Sequence, residues 1–401
     1  MKAGLVATLV LGLSAALPGA VLVVDPAGGG SFAEIQAAID AASAGDEVLV
    51  KPGEYVITSP ITFRGKAIAV RGEAGAGETV IRMSEEPLDP DWESVAIFEE
   101  GETEESVLEG FTLTGGKGKR LFDTPDTHVG GGVYCFNASP TLTSCTISGN
   151  SAWIGGGVYC ATNSSPTLTS CTISGNSAGN WGGGVYCYDS SPTLTNCTIS
   201  GNLATYGGGV YCSEKSSPTL TSCVVWGNAG GSLVFKDKQP AVTFSCVETE
   251  EVFAGEGNIH RDPIFCGFPG SGEVFVDASS TEGGDGTAQR PYRDLGEALA
   301  REYSLSLKRN SPCIGSGKDG VNMGADLGTC EAGEPSGGLV VHLAAGRYSM
   351  EGLNLVHAAS IFGAGAEETV LEGTVWGLRT GARLSQVTVT GGRDGGIVIG
   401  R

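Results

Sequence analysis

The stretch "GGGVYC" at residues 130–135 returns unchanged at 155–160, 182–187 and 207–212. Each copy precedes a second block, which reads "SPTLTSCTISGN" at 139–150 and recurs as near-copies at 165–176, 191–202 and 217–228. Within this block one cysteine and one asparagine keep a step of 26 residues: Cys145, Cys171, Cys197 and Cys223, and Asn150, Asn176, Asn202 and Asn228. A fixed period in the twenties indicates a repeat architecture, in which each copy is one unit of a stack.

The residue types of the repeat decide which architecture it forms. Thr, Val, Ile, Gly and Pro dominate the units, and they favour strands and turns, so helical repeats are excluded. Leucine-rich repeats need leucine at several fixed places, whereas each unit here has one recurrent leucine. The sequence therefore predicts a parallel β-helix with tandem 26-residue coils at 129–230. Its coils would stack about 4.8 Å apart through backbone hydrogen bonds.

Strand alternation predicts which side chains line the core. In "VYC" (133–135) Val133 and Cys135 share one face and Tyr134 takes the other, and in "CTI" (145–147) Cys145 and Ile147 share a face. We place Val, Cys, Leu and Ile inward, stacked on their own copies in the next coil. The "GN" that closes each unit fits a turn with positive φ, and its aligned asparagines can bond to one another along the stack. "GGG" lets the backbone bend sharply where no side chain would fit.

The chain contains 12 cysteines but no CxxC pair, and their spacings are not those of zinc knuckles. Three chemical states of the cysteines are compatible with the repeat. Stacked buried thiols fit a narrow core, where free cysteine behaves as a small hydrophobe. Disulfides within or between coils would require an oxidising compartment, and metal binding is the third alternative.

Composition and charge restrict the partners. The chain has 401 residues and a net charge of −21, which excludes nucleic acid and anionic membranes as partners because both demand basic surface. Residues 1–20 have the pattern of a signal peptide: Lys2, an apolar stretch from Ala3 to Ala16, then small residues. An uncleaved anchor or a buried strand is the alternative. We expect an exported protein, extracellular or on a bacterial cell surface, with no transmembrane span in the mature chain.

The open end of a β-helix must be covered to prevent end-to-end aggregation, and the run "SFAEIQAAIDAAS" predicts a helix over 31–43 for this role. Ser31 would cap the helix, with Glu34 three residues on as in a capping box. Its apolar face would consist of Phe32, Ile35, Ala38 and Ile39. Short strands follow, and "LEGFTLTGG" (108–116) aligns with the repeat so that Phe111 takes the cysteine position.

The run "IQAAIDAASAGDEVLVKPGEY" (35–55) resembles the N-terminal part of right-handed parallel β-helix proteins of the pectin lyase-like superfamily. The coils resemble repeats of bacterial secreted and surface proteins and, more loosely, chlamydial polymorphic outer membrane proteins, which share the "GGGV" type of motif. The resemblance covers about 21–266. It implies an all-β, right-handed parallel β-helix, or solenoid, with an N-terminal capping α-helix. It leaves the activity open, because the superfamily holds lyases, hydrolases, epimerases, esterases and non-catalytic adhesins.

The remaining sequence contains motifs that resemble those of the first part and follow in a similar order. "EVFVDASS" (273–280) resembles the opening of a second β-helix, whose first strand continues at "LVVHLAAGRY" (339–348). "DPIFC" (262–266) and "NSPCIGSG" (310–317) resemble a closing segment. The predicted organisation is a first β-helix at 21–266, an interleaved closing segment and second cap at 267–337, and the start of a truncated second β-helix at 338–401.

The tandem coils contain few groups able to do acid–base chemistry. From 129 to 235 the charged residues are Asp189, Glu214 and Lys215, whereas polysaccharide hydrolases need paired carboxylates and lyases a basic group. An acidic stretch at 84–109 offers Glu85, Asp89 and Asp91 as oxygen ligands for calcium; a solvated loop is the alternative. The insertions 84–106 and 117–128 can add a mixed cluster, since the second carries Lys117, Lys119, Arg120, Asp123 and Asp126.

Aromatic residues are the candidate ligand-binding groups. If Val and Cys point inward, one tyrosine per coil points outward, giving the row Tyr134, Tyr159, Tyr186 and Tyr211. Trp153, Trp181 and Tyr206 precede "GGG" and would stand beside this row. Such rings can stack on sugars, or they can pack on one another and shield the strands.

Together these features predict a secreted or surface-exposed, non-catalytic repeat module that binds a polysaccharide or cell-surface glycan, or is adhesive. The alternative is a polysaccharide lyase, epimerase or hydrolase. The only cofactor that the sequence offers ligands for is calcium, at Glu85, Asp89 and Asp91. The feature that distinguishes the two functions is a compact acidic-plus-basic cluster on one outer face.

Overall fold

A computed structural model describes residues 19–121, 127–263, 265–267, 273–280, 287–293, 304–308, 311–325, 329–330, 339–349, 359–373 and 383–391. The predicted signal peptide therefore lies outside the described residues, except for its last two. In the part of the chain described, no helix is long and apolar enough to cross a membrane.

The N-terminal part combines one short helix with short strands. Its elements are β1 Val21–Val24, α1 Ile35–Ala41, β2 Glu47–Val50, β3 Gly53–Ile57, β4 Ile61–Thr62, β5 Ala69–Gly72, β6 Thr79–Met83, β7 Trp92–Glu93, β8 Ala96–Phe98, β9 Val107–Glu109, β10 Thr112–Thr114 and β11 Gly118–Arg120.

The tandem part contains strands of two to five residues separated by turns. They are β12 His128–Val129, β13 Val133–Phe136, β14 Thr141–Thr143, β15 Thr146–Ser148, β16 Ser151–Ile154, β17 Val158–Ala161, β18 Thr167–Thr169, β19 Thr172–Ser174, β20 Ser177–Trp181, β21 Val185–Tyr188, β22 Thr193–Thr195, β23 Thr198–Ser200, β24 Val210–Ser213, β25 Thr219–Thr221, β26 Val224–Trp226, β27 Leu233–Phe235, β28 Ala241–Thr243 and β29 Cys246–Val247.

The strands of these two parts form four sheets that run along the stack. Sheet A has the order β1-β2-β5-β9-β14-β18-β22-β25-β28, and sheet B has the order β29-β26-β23-β19-β15-β10-β6-β3. Sheet C has the order β27-β24-β21-β17-β13-β8-β4, and the shorter sheet D has the order β20-β16-β12-β11-β7. The chain is a right-handed parallel β-helix, so the predicted fold class is confirmed.

The step of 26 residues sets the register of the tandem coils. Leu142 pairs with Leu168 and Ile147 with Ile173, each directly opposite its own copy in the next coil. In sheet C the whole "VYC" triplet aligns, so Cys135 pairs with Cys160. One continuous hydrophobic core results, and it runs from Val24 in the first strand to Val247 in the last coil.

The asparagine that closes each unit forms a buried ladder, as the sequence predicts. The side-chain amide of Asn150 donates to Oδ1 of Asn176 at 3.0 Å, Asn176 donates to Asn202, and Asn202 donates to Asn228, each at the same distance. Each Oδ1 also accepts the backbone N–H of the asparagine in the preceding coil. The glycine before each asparagine has positive φ, for example 64° at Gly149, so the expected turn conformation is confirmed.

The "GGG" motif is required by close packing at all three positions. The first glycine of each triplet has φ near +66°, as at Gly130, and a Cβ there would lie within 3.0 Å of Tyr134. A Cβ at the second, Gly156, would lie 2.2 Å from the carbonyl oxygen of Ser177 in the next coil. A Cβ at the third, Gly132, would lie 2.6 Å from the side chain of Ile147. The motif therefore allows the coils to pack closely, as expected.

The cysteines of the tandem coils stack in two buried columns, one in sheet C and one at the corner between sheets A and B. Each thiol of the corner column donates to backbone carbonyls, as Cys171 does to those of Leu142 and Thr169. All ten cysteines whose side chains are described are free and buried. Of the three states compatible with the sequence, the structure has stacked thiols.

The helix α1 packs against β1, β2 and β4 at the N-terminal end of the stack, with Ile35, Ala38 and Ile39 buried. The prediction of its start was wrong: α1 begins at Ile35, and its N-cap, Glu34, makes no side-chain capping bond. Ser31 does not cap it, because Phe32 forms a parallel bridge with Val24 that holds this segment extended. At the other end the Lys66 ammonium donates to the carbonyls of Ile39, Asp40 and Ala42.

The described C-terminal elements are mostly parallel strands. They are β30 Phe265–Gly267, β31 Glu273–Val276, β32 Ser304–Lys308, a 3-10 turn Lys318–Gly320, β33 Thr329–Cys330, β34 Leu339–Leu343, β35 Gly346–Ser349, β36 Ala359–Gly363, β37 Thr369–Gly373, β38 Arg383–Ser385 and β39 Thr388–Gly391. The first of two parallel sheets has the order β31-β34-β36-β38 and the second β35-β37-β39. The division of the chain into a first β-helix and a truncated second one stays a prediction.

Candidate functional site

The outward tyrosine row exists, and its rings are stacked on one another. Tyr134, Tyr159, Tyr186 and Tyr211 lie on the outer face of sheet C, with ring centroids 5.5, 5.4 and 5.8 Å apart and interplanar angles of 10° or less. Tyr159 is only 9% exposed, because both of its ring faces are covered by its neighbours. The structure thus supports the second of the two alternatives, in which the rings pack together, and their faces are not open to sugars.

The hydroxyls of the row differ in their partners. Within the described residues no hydrogen bond is found for the Tyr134 or Tyr159 hydroxyl, whereas that of Tyr186 interacts with Ser213. Burial raises the pKa of Tyr134, Tyr159 and Tyr186, so these hydroxyls stay protonated above the pH at which an exposed tyrosine ionises.

Sheet D forms a wall beside the row. Ile154 and Trp181 pack against it, and the Trp181 ring lies 6.2 Å from that of Tyr211. Trp153 lies in the same sheet, 40% exposed, with its ring over the backbone of Gly179. Tyr206 is 55% exposed and forms a bridge with Trp181. Trp153 and Trp181 belong to strands β16 and β20 of this wall.

A charged arm, formed by strand β11 (Gly118–Arg120), covers the N-terminal end of the tyrosine row. Strand β11 runs antiparallel to both β7 and β12 and carries Lys119, whose side chain is 7% exposed. The Lys119 ammonium lies 3.8 Å from the centroid of the Trp92 ring and 5.0 Å from that of Tyr134. It also donates to the Glu99 carboxylate at 2.5 Å. Lys119 therefore joins the tyrosine row to the tryptophan of the neighbouring insertion.

Two further ion pairs flank this lysine. Arg120 donates to both carboxylate oxygens of Asp91 at 3.1 Å, and the Lys117 ammonium lies 3.6 Å from Glu93. The insertions 84–106 and 117–128 thus supply a compact acidic-plus-basic cluster on the outer face, which the tandem coils lack. Asp123 and Asp126, which we expected in the same cluster, lie outside the described residues.

A pocket of about 400 Å³ lies beside this cluster, over the outer face of β4 and β8. Its floor includes Thr62 and Ile97, and Ile97 occupies the position of the tyrosine row in the coil before Tyr134. The pocket therefore continues the row. The lining residues are Gln36, Ser59, Pro60, Thr62, Arg64, Asp89, Trp92, Ile97, Glu99, Glu100 and Glu102.

Several of the polar lining groups are held by neighbours. The Gln36 amide makes two hydrogen bonds with the backbone of Thr62, one as donor and one as acceptor, at 3.0 and 2.9 Å. The two oxygens of Glu102 accept the backbone N–H groups of Gly65 and Glu100, each at 2.9 Å. The pocket is thus preformed on strands and hydrogen-bonded turns.

The structure does not bring the three proposed calcium ligands together. Asp91 pairs with Arg120, and Glu85 pairs with Arg293 at 2.9 Å. Asp89 accepts the backbone N–H of Asp91 and lines the pocket. Among the described residues there is no group of three or more His, Cys, Asp or Glu side chains arranged to hold a metal ion.

Sequence reasoning missed Trp92 and Arg64 as site residues. Trp92 stands in the acidic run "DPDWES" (89–94), and an aromatic residue inside such a run is the signal that could have found it. Arg64 and Gln36 carry no such signal, because they reach the pocket only through the packing of α1 against β4.

The fold and the outer-face cluster define a parallel β-helix repeat protein with a pocket at the N-terminal end of one sheet. Residues 115–247, about a third of the chain, match the family model described as "Right handed beta helix region". Pectin methylesterase PemA from Erwinia chrysanthemi is a solved structure similar to this chain, at 14% identity and a TM-score of 0.31, over 57% of this chain and 70% of that one. No curated protein matches the sequence.

Proposed function

We propose that the protein is an exported, non-catalytic β-helix module that binds a polysaccharide at the cell surface or outside the cell. The pocket that continues the tyrosine row, with Trp92 in its wall, carries this proposal. The end of a glycan chain binds in this pocket beside Trp92, and the Lys119 side chain separates the pocket from the tyrosine row.

The pocket has the chemistry of a sugar site. Trp92 supplies an indole ring whose orientation is fixed by Lys119 on one side. Asp89 and Glu99 supply carboxylate oxygens able to accept hydrogen bonds from sugar hydroxyls. A few placed polar groups around an apolar ring are typical of small-ligand pockets, and such rings present a flat face to an apolar partner surface.

Charge decides which polysaccharides fit. The pocket is lined by the carboxylates of Asp89, Glu99, Glu100 and Glu102 and by one guanidinium, that of Arg64. Arg64 pairs with Asp40 at 2.8 Å, so it brings little free positive charge to the pocket. With a net charge of −21 on the whole chain, a polyuronate would be repelled. The ligand is therefore a neutral glycan or one with amino groups.

The partners of the carboxylates argue against a hydrolase. A hydrolase needs a pair of carboxyl groups that both reach the substrate. Glu99 is paired with Lys119, Asp91 with Arg120 and Glu93 with Lys117. Both oxygens of Glu102 accept backbone N–H groups, so these four carboxylates are engaged with groups of the protein itself.

The test is binding of the full chain to neutral, amino-containing and uronate polysaccharides, measured by affinity electrophoresis and calorimetry. We expect retention by the first two classes only. Trp92→Ala should weaken retention at least tenfold, whereas the matched control Trp153→Ala, which removes an exposed tryptophan outside the pocket, should leave it unchanged. Equal retention of both variants, or preferential binding of polyuronates, would contradict the proposal.

A polysaccharide-modifying enzyme remains the second candidate, because one observation favours it. The mixed cluster of Lys119, Glu99, Arg120 and Asp91 stands beside the pocket, and this is the feature expected of a catalytic β-helix. Incubation with the polysaccharides that bind, followed by analysis for shortened or chemically altered chains, separates the two functions. Product that disappears in Glu99→Gln would establish the enzyme.

A further inference from the structure

The segment 311–325 lies against the outer face of the last coils. The backbone N–H of Lys318 donates to the Ser222 hydroxyl at 2.8 Å, and that of Gly324 donates to the Ser222 carbonyl at 2.6 Å. The backbone N–H of Ala325 donates to the Thr198 hydroxyl at 3.0 Å. Three hydrogen bonds to two coil residues thus attach a segment that is distant in sequence.

Two cysteines meet under this segment. Cys246 in β29 and Cys313 share a small hydrophobic cluster with Val224 and Met323, and both cysteines are fully buried. The Cys246 thiol donates to the carbonyl oxygen of Arg261 at 3.1 Å. The interaction between the two thiols lowers the pKa of Cys246 and raises that of Cys313.

This pair differs from the stacked thiols of the core in how the backbone holds it, since Cys246 is the strand partner of Val224 and not of Cys313. Cysteines facing each other on in-register parallel strands, such as Cys135 and Cys160, have Cβ atoms about 4.8 Å apart. A disulfide needs a Cβ separation of about 3.5–4.5 Å, so the backbone ladder keeps the column thiols reduced. Cys246 and Cys313 lie on separate segments that no strand pairing holds at this spacing.

We propose that Cys246 and Cys313 form a disulfide that fastens the segment 311–325 to the coils when the protein folds in an oxidising compartment. The oxidant is a low-molecular-weight disulfide such as oxidised glutathione. The Cys246 thiolate attacks it and releases one glutathione as a thiol. The Cys313 sulfur then loses its proton and displaces the second glutathione. Two protein thiols and one glutathione disulfide thus become one protein disulfide and two glutathione thiols.

The chain offers a direct test, because trypsin places these cysteines on separate peptides, 239–261 and 310–318. The full-length protein is refolded with a mixture of oxidised and reduced glutathione, denatured, alkylated and digested without reductant. We expect the two peptides joined, with a mass two hydrogens below their sum, and separated by reductant. Peptide 121–215, which contains seven of the core cysteines, should be alkylated seven times.

Alkylation of both Cys246 and Cys313 would overturn the proposal, and so would Cys246 joined to peptide 262–293 or 319–347, which contain Cys266 and Cys330. A second measurement tests the consequence for stability. Reductant should lower the melting temperature of the oxidised wild type and have no effect on Cys313→Ser. An equal effect of reductant on both would also overturn the proposal. If Cys313→Ser does not fold, the peptide map of the wild type is the test of whether the disulfide forms.

Discussion

The Lys119 ammonium lies over the Trp92 ring at 3.8 Å from its centroid, on an arm that reaches sheet D by antiparallel pairing. This contact joins two insertions that are about 27 residues apart in sequence. It also places a nearly buried cation between the tyrosine row and the pocket.

Replacing Lys119 by Met should weaken both the fold and the pocket. The variant keeps the aliphatic length but leaves the Glu99 carboxylate without its cation and removes the cation–π contact. Because Glu99 is partly exposed, we expect a loss of about 1–3 kcal/mol in the free energy of unfolding. Denaturant unfolding measures it, and Trp92 emission should shift. Adding Glu99→Gln should restore part of the loss; a purely additive effect would show that the two residues are not coupled.

Gly156→Ala should prevent the coils from stacking. Its Cβ would lie 2.2 Å from the Ser177 carbonyl oxygen, which is held in the backbone ladder and cannot move away. The matched control is Gly175→Ala, whose Cβ meets nothing within 4 Å, although φ there is +63°. The control should cost about 1 kcal/mol, whereas Gly156→Ala should give little soluble protein. Similar melting temperatures for both variants would contradict the packing role of the second glycine.

Asn176→Ala should break the asparagine ladder at its centre. The amide of Asn176 donates to Asn202 and to the Ile147 carbonyl, and its oxygen accepts from both nitrogens of Asn150. Since these groups are buried, the loss should be about 2–4 kcal/mol in the free energy of unfolding. Ser151→Ala, at the exposed first position of strand β16, is the control and should change stability by less than about 0.5 kcal/mol.

Stability should fall at alkaline pH. Burial raises the pKa of Tyr134, Tyr159 and Tyr186 above that of an unfolded tyrosine, about 10. The folded state therefore holds these protons more tightly than the unfolded state. Their contribution to stability is complete below pH 10 and is lost as pH rises toward the folded-state pKa values.

Absorbance at 295 nm and circular dichroism, followed together, test this pH dependence. The three tyrosines should ionise only with the loss of β-sheet signal. Tyr159→Phe should reduce that late phase by one tyrosine. Ionisation of all ten tyrosines near pH 10 with an intact spectrum would rule the explanation out.

Chelation of divalent cations should not affect the fold. Of the three carboxylates considered as calcium ligands, Asp91 is bound to Arg120 and Glu85 to Arg293. We expect the same melting temperature with EDTA as with millimolar calcium. A rise of several degrees with calcium would show that these ion pairs open to form a site.

The architecture of the coils was predictable because the repeat itself encodes the register. Residues 26 apart, such as Cys145 and Cys171, must stack if successive coils have equal length, and strand alternation then separates Cys135 from Tyr134. The asparagine ladder follows from the same rule. The period of 26 therefore predicted the register, the core and the turn chemistry of sheets A and B, whereas the "VYC" strands of sheet C recur at steps of 25, 27 and 25 residues.

The sequence identified several residues of the candidate site but not how they are arranged in space. The insertion residues Lys117, Lys119 and Arg120 were recognised, but strand β11 has three residues and no periodicity that reveals its antiparallel partner. Tyr159 was correctly assigned outward, yet direction alone does not decide whether rings stack on each other or on a ligand. At the start of α1, the preference of Ser31 for a cap was outweighed by the bridge between Phe32 and Val24.

The asparagine ladder determines how whole repeats can be added to this chain or removed from it. Each asparagine bonds only to groups of its own coil and of the two adjacent coils, so a further 26-residue copy inserted after Asn176 would find every donor and acceptor it needs. It would lengthen the stack by about 4.8 Å and leave the capping helix and the pocket in place. Duplication or deletion of whole copies thus changes the length of the stack without changing the N-terminal end that contains the pocket.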